Sequence, residues 1–193
     1  YRDQTFAFAS GTATVQQYFA QLYAHTDSEA DPFSSGRQMV CHFATPMNDE
    51  DGNLLELSKL KNVISDISPT AGQMPRLVGL AYASKLFREN KALHKYTELS
   101  DVGNEIAFGT IGNASTSEGL FLEAINALGV LQVPCIISVW DDDYGISVPQ
   151  KYHTTKESIS EALSGFQRTK DKPGFEIIKV KGWDYEGLLK AYE

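Results

Sequence analysis

Two short stretches hold residue types suited to binding a phosphorylated ligand together with a divalent cation. Gly112-Asn113-Ala114-Ser115-Thr116-Ser117-Glu118-Gly119 is built of small and polar residues. Between a strand and a helix, such a turn aims backbone N–H groups at an anion, at the positive end of the helix dipole. Asp141-Asp142-Asp143-Tyr144-Gly145 offers hard oxygen donors of the kind Mg²⁺ takes. Thirty positions separate Gly112 from Asp142, the length of one helix and one strand. Ligands of open parallel sheets sit beyond the carboxyl ends of the strands, so this spacing predicts that the two turns meet. Either stretch alone says little, because small-residue turns precede many helices and consecutive aspartates commonly form a solvated loop. The pair at this separation is the informative feature.

The elements that must position them are legible around both turns. Glu105 to Ile111 reads as an apolar strand ending at Gly112. Residues 117–130 read as a helix burying Leu120, Phe121, Ala124, Ile125 and Leu128, and residues 134–140 as a second strand. A strand, glycine turn, helix and strand in succession predict an α/β fold with a parallel sheet. Upstream, Val15, Tyr18, Phe19 and Leu22 fall at helical spacing over residues 12–23 and predict a core-facing helix capped by Thr12 or Thr14. Leu77, Ala81, Leu86 and Phe87, with Gly79, Ala83 and Ser84 between them, predict a closely packed helix. Downstream come a helix near 156–166, a strand over 175–180 and a final helix from about Tyr185. The whole of 1–193 reads as a single domain. Its opening at Tyr1 without a Met and its stop within a helical pattern suggest a piece of a longer chain.

Composition narrows the classes of partner. With 193 residues and 42% hydrophobic content there is material for one substantial core. Seventeen basic against 25 acidic residues give a charge of −8, which argues against nucleic acid or an anionic membrane as partner. A bound phosphate must then be met locally, by backbone amides, a metal ion or one or two placed arginines. Two cysteines, Cys41 and Cys135, make no disulfide framework and read as reduced thiols in a cytoplasmic setting. No apolar stretch is long enough to span a bilayer.

The chain resembles the alpha subunits of 2-oxoacid dehydrogenases, the thiamine diphosphate-dependent decarboxylating components, and most of all the branched-chain 2-oxoisovalerate type. The opening Tyr1-Arg2, the run Gly36-Arg37-Gln38-Met39 with His42 after it, and Ser68-Pro69 before Gln73 carry the likeness. So do Ser117-Glu118-Gly119 and Tyr144-Gly145-Ile146-Ser147-Val148-Pro149. Thiamine diphosphate enzymes carry Gly-Asp-Gly and, about thirty residues on, Asn-Asn, whose side chains hold the Mg²⁺ bridging the diphosphate. The likeness runs from residue 1 to about 149 and more faintly to the end. It implies a parallel-sheet, three-layer thiamine diphosphate-binding fold supplying the diphosphate half of the site.

Four departures from the family pattern matter. The family's acidic ligand falls on Asn113 and its amide ligand on Asp142, an exchange that keeps one carboxylate and one amide oxygen. Its second glycine is Ala114, acceptable if φ there is negative. An arginine that relatives aim at the diphosphate is Trp140, and a Thr of their potassium site is Gly72, so no potassium ion is expected. The resemblance implies Mg²⁺ held at Asn113, Asp142 and Tyr144, and the cofactor contacted by Tyr1, Arg2, Ser68, Thr70, Gly112, Ala114 and Ser115. Arg2 would give a bidentate charge to a phosphate oxygen, and Ser68 and Thr70 would hold the aminopyrimidine. His42 is the catalytic candidate, facing the bound 2-oxoacid as hydrogen-bond donor or proton shuttle. Elsewhere His25, His94 and His153 read as polar-loop residues and Glu118 as a partner of the helix dipole.

The implied reaction is decarboxylation of a 2-oxoacid and transfer of the acyl group to a lipoyl group, with the electron sink supplied by the cofactor. Implied partners are a beta part, fused or separate, that brings the activating Glu, and a lipoyl-bearing acyltransferase, in a homodimer or heterotetramer. The isolated piece is expected to turn over little or not at all. Two other readings stay open: a non-catalytic cofactor-binding or assembly module, and a transketolase-like carbon-transfer enzyme, against which the Gly-Arg-Gln-Met and Ser-Pro segments argue.

Overall fold

The apolar runs Ala107–Gly112 and Cys135–Trp140, rich in β-branched and aromatic residues, form strands β1 and β2 in the computed structural model, which describes residues 4–38, 41–64 and 67–193. They pair in parallel, from Ala107 beside Cys135 to Gly112 beside Trp140. Helix α4, Gly119–Leu131, is the crossover between them and stops where Gln132 takes a left-handed conformation, φ 49°. Helix α3, Met74–Glu89, carries proline in its first turn and packs on α4 and on both strands.

One buried cluster holds this frame. It joins Met74, Leu77 and Ala81 of α3, Phe121, Ala124, Ile125 and Leu128 of α4, and Ala107 and Ile111 of β1. Truncating a side chain such as Leu128 to alanine costs about 2–5 kcal/mol, so this cluster, rather than the loops, sets the stability of the scaffold. Strand periodicity assigns the faces. Ala107, Gly109 and Ile111 look toward α3, and a Cβ at Gly109 would stand 2.7 Å from Leu77 Cδ2, so glycine there lets α3 approach. Phe108 looks the other way, 5.2 Å from Phe6 of α1, Thr5–Ala9, and 6.0 Å from Tyr192 of α6, Tyr185–Tyr192. Tyr192 also bonds Ser138 of β2 at 2.7 Å. Among the described residues, no helix is long and apolar enough to cross a membrane.

Three elements differ from their sequence reading. The stretch 156–166, read as one helix, holds only the single-turn helix α5, Ile159–Ala162, between the 3-10 turns Thr155–Glu157 and Ser164–Phe166, with Lys156 at φ 60°. Helix α2, Val15–Leu22, forms with the expected Thr14 capping box, but Val15, Phe19 and Leu22 are about half exposed. Its buried residue is Gln21, whose amide donates to the His42 carbonyl and accepts the His42 N–H. Among the described residues, the stretch 175–180 forms only a single bridge, Gln167 to Phe175. Phe175 there both donates to Phe166 and accepts from Arg168, and its ring lies on Gly129 of α4. One aromatic anchor closes that loop instead of a third strand.

Candidate functional site

Beyond β1 the chain enters a short 3-10 turn, Ala114–Ser117, before α4 begins. Asn113 starts the turn in helical conformation, φ −55° and ψ −47°, and is 3% exposed. Its N–H donates to the Trp140 carbonyl at 3.2 Å, tying the first loop to the end of β2. Its carbonyl accepts from Thr116 N–H at 3.1 Å and Thr116 Oγ1 at 2.6 Å. The amides of Ala114 and Ser115 precede that first bond of the turn, the position at which helical N–H groups point outward. Ala114 is absent from the residues with positive φ, so alanine is accommodated where the family pattern has glycine.

The second loop leaves β2 at Asp141 and enters a small hairpin, β3 Tyr144–Gly145 with β4 Val148–Pro149. Asp143 and Ile146 have φ of 68° and 58°, a conformation rare for a β-branched residue, and Ile146 is fully exposed at the tip. Asp142 Oδ1 accepts the Tyr144 N–H at 3.2 Å and Asp141 Oδ1 accepts the Asp143 N–H at 3.2 Å. No ion pair among the described residues neutralises these three aspartates, so the loop is a local region of negative potential.

Gln150, 5% exposed, joins the loops. Its backbone N–H donates to the Asp143 carbonyl at 2.8 Å, and its own carbonyl accepts from His153 and Thr154 at 3.0 and 2.9 Å. Its side-chain Oε1 accepts from Asn113 Nδ2 at 3.5 Å, while Nε2 donates to Asp141 Oδ2 at 3.5 Å and to the Glu157 carbonyl at 3.4 Å. The loops also touch directly: a Cβ built on Gly145 would stand 2.5 Å from Ala114 Cβ. His153 lies against the same glycine and has its Nδ1 on Thr154 Oγ1 at 2.9 Å, while its carbonyl accepts from Ser117 Oγ. Its Nε2 is buried with no hydrogen-bond partner among the described residues, an arrangement that in native sites often marks a missing ligand or water.

The structure therefore brings Gly112, Asn113 and Ala114 of the first loop to Asp141 and Gly145 of the second. Asp142 and Tyr144 flank that junction on the exposed side. Sequence reasoning missed Gln150 and His153. A lone glutamine after Val148-Pro149 carries no signal of burial, and nothing in the sequence around His153 shows that its ring lies against Gly145 or that its carbonyl holds Ser117 Oγ. Trp140 offers no charge to a diphosphate: its indole N–H donates to Ser138 Oγ at 3.1 Å and its ring tilts onto Phe6 at 6.2 Å. Cys135 in β2 is no nucleophile, because burial pushes its thiol up to about 12.

Of the other candidates, Tyr1 and Arg2 lie outside the described residues, as does Met39. His42 is 7% exposed and clamped through its backbone by Gln21. Its neighbours Cys41 and Phe43 line a cavity of about 640 Å³ that reaches the start of α3 and β1. Ser68 and Thr70 are exposed in the turn before α3, which Gly72 N–H closes onto the Pro69 carbonyl at 2.9 Å. No group of three or more His, Cys, Asp or Glu among the described residues is placed to hold a metal ion. A cation between the loops would rest on amide, carboxylate and backbone oxygens, a donor set that suits Mg²⁺.

Known proteins resemble the chain along its length. The chain is 29% identical over its whole length to the 2-oxoisovalerate dehydrogenase subunit alpha of Bacillus subtilis (strain 168), covering 48% of that protein. It is 30% identical to the mitochondrial 2-oxoisovalerate dehydrogenase subunit alpha of Caenorhabditis elegans, over 93% of this chain and 32% of that one. The human mitochondrial protein of the same description is 24% identical over 92% of this chain and 31% of its own length. The chain thus spans about half the length of the Bacillus relative and about a third of the other two. The family model for the dehydrogenase E1 component matches residues 1–192, and the chain belongs to that family.

Proposed function

We propose that this chain is the alpha part of a 2-oxoacid dehydrogenase and forms the diphosphate half of a thiamine diphosphate and Mg²⁺ site. The observation that carries this reading is the meeting of the two loops, through Asn113, Gln150 and Asp141 and through the contact of Gly145 with Ala114. Helical and aromatic contacts on both faces of β1 support the three-layer arrangement of a thiamine diphosphate-binding domain. The hard-oxygen donor set and the orphaned His153 Nε2 fit a polar, cation-bound ligand.

When bound, thiamine diphosphate supplies the electron sink that loss of CO₂ from a 2-oxoacid requires. Asn113, Asp142 and Tyr144 hold the cation, and the amides of Gly112, Ala114 and Ser115 meet the phosphate oxygens. Tyr1 and Arg2 add a charged clamp, and Ser68 and Thr70 hold the aminopyrimidine. His42 donates a hydrogen bond or a proton to the substrate oxygen, its position set by Gln21. The relatives' description as 2-oxoisovalerate dehydrogenase subunit alpha favours a branched-chain 2-oxoacid as substrate and a complementary beta part as partner; a lipoyl-bearing acyltransferase as acceptor rests on the sequence resemblance alone.

The test uses the complete gene product assembled with its beta part. Calorimetry should show thiamine diphosphate binding that requires Mg²⁺, and a panel of 2-oxoacids should show acyl transfer to lipoamide with branched-chain acids preferred. Absence of Mg²⁺-dependent binding would refute the site, and acyl transfer to a sugar acceptor instead of lipoamide would refute the reaction.

A further inference from the structure

We infer that Gln150 is a positioning residue that decides which end of the Asn113 amide faces the cation. The inference rests on the reading of Asn113 as a metal ligand. A carboxylate at that position would present an oxygen whichever way it turned. An amide presents an oxygen at one end and an NH₂ at the other, and the NH₂ cannot bind a cation. An asparagine ligand therefore needs a neighbour that accepts from its Nδ2 and so leaves Oδ1 for the metal.

Gln150 is that neighbour, and its own direction is set in turn. Its Nε2 lies 3.5 Å from Asp141 Oδ2 and 3.4 Å from the Glu157 carbonyl. A carboxylate and a carbonyl are acceptors only, so the nitrogen end of Gln150 must face them. That leaves Oε1 toward Asn113, where it accepts from Nδ2 at 3.5 Å. The order runs from Asp141 through Gln150 to Asn113 with one donor and one acceptor at each contact. Reversing either amide would set like atoms against each other at a buried position, since Asn113 and Gln150 are 3% and 5% exposed. The backbone of Gln150 cannot swing away, because its N–H and carbonyl are both engaged, with Asp143 and with His153 and Thr154. Gln150 thus makes the asparagine workable where the family pattern has an acid.

A double-mutant design isolates this role. Mg²⁺ affinity is measured by calorimetry in the presence of saturating thiamine diphosphate on the complete chain assembled with its beta part. Four proteins are compared: the natural sequence, Gln150→Met, Asn113→Asp, and the double variant. Removing a group that orients a metal ligand costs about 10–100-fold in affinity; these contacts are long, so about tenfold is expected for Gln150→Met alone. In the Asn113→Asp background the same substitution should change affinity less than about twofold, because a carboxylate needs no orienting partner. A merely structural glutamine would weaken both backgrounds equally. Equal loss in the two backgrounds, or loss in neither, overturns the inference while leaving the site itself standing. Failure of the natural sequence to bind Mg²⁺ overturns both. Should Gln150→Met not fold, Gln150→Ser, which leaves room for water, must show the same dependence on background.

Discussion

Replacing Gly145 with alanine tests the meeting of the two loops most directly. The added methyl would stand 2.5 Å from Ala114 Cβ, whereas carbon atoms in contact settle at about 3.5–4.0 Å. The loops must then part by about 1 Å or more. The other near atoms, His153 Nε2 and Cδ2, would lie at 3.6 and 3.7 Å, ordinary contact that asks for no movement. Gly145 is not among the glycines with positive φ, so alanine meets no backbone penalty there and the effect is steric. Overpacking of this kind costs about 1–3 kcal/mol in stability, and disturbing the arrangement around metal ligands costs about 10–100-fold in affinity. Thermal unfolding and Mg²⁺-dependent thiamine diphosphate binding would be measured on the assembled protein. The decisive arm is Ala114→Gly added to Gly145→Ala, which removes the other half of the clash and should recover most of both losses. Unchanged binding in Gly145→Ala, or no recovery in the double variant, would refute the convergence of the loops.

Two predictions concern groups away from the loops. Cys135, its thiol raised to about 12 by burial, carries about a thousandfold less thiolate near neutral pH than an ordinary cysteine; iodoacetamide at pH 8 should label it only after denaturation, and rapid labelling of the native protein would contradict its burial. Asp31 is fully buried, and burial pushes its carboxyl up, but bonds from Gly36 N–H, Ser34 Oγ, Ser34 N–H and Phe33 N–H together hold it below its ordinary 3.8. A lowered folded value stabilises the protein above the unfolded value and ceases to do so as pH falls through the folded one. Asp31→Asn should thus cost about 1–3 kcal/mol near neutrality, with the gap to the natural sequence closing below about pH 4; a gap that widens on acidification would sink this account.

What could be read in advance follows from how far each signal reaches. The approach of Asn113 to the end of β2 was legible because a strand, crossover and parallel strand admit few geometries. The Thr14 cap was legible because capping is local. The burial of α2 was not: spacing of Val15, Phe19 and Leu22 reports that a helix has an apolar stripe, not what lies against it, and Gln21 proved to be the inward residue. The run from 175 to 180 has strand composition, but a strand also needs a hydrogen-bonding neighbour, and among the described residues only Phe175 finds one. Gln150 and His153 were silent because a polar side chain becomes interior only through contacts made by residues distant in sequence.

The α4 crossover has a consequence for how any damage to this protein would be observed. In the proposed site neither turn suffices alone, so a synthetic peptide spanning one of them should capture no ligand, and binding should wait on tertiary assembly. Lesions inside the frame, at Phe121 or Leu128, would consequently lower the fraction of competent molecules, and with it the apparent affinity in a titration, while leaving unchanged the strength with which each folded molecule binds. Saturating ligand would in turn rescue such lesions by mass action.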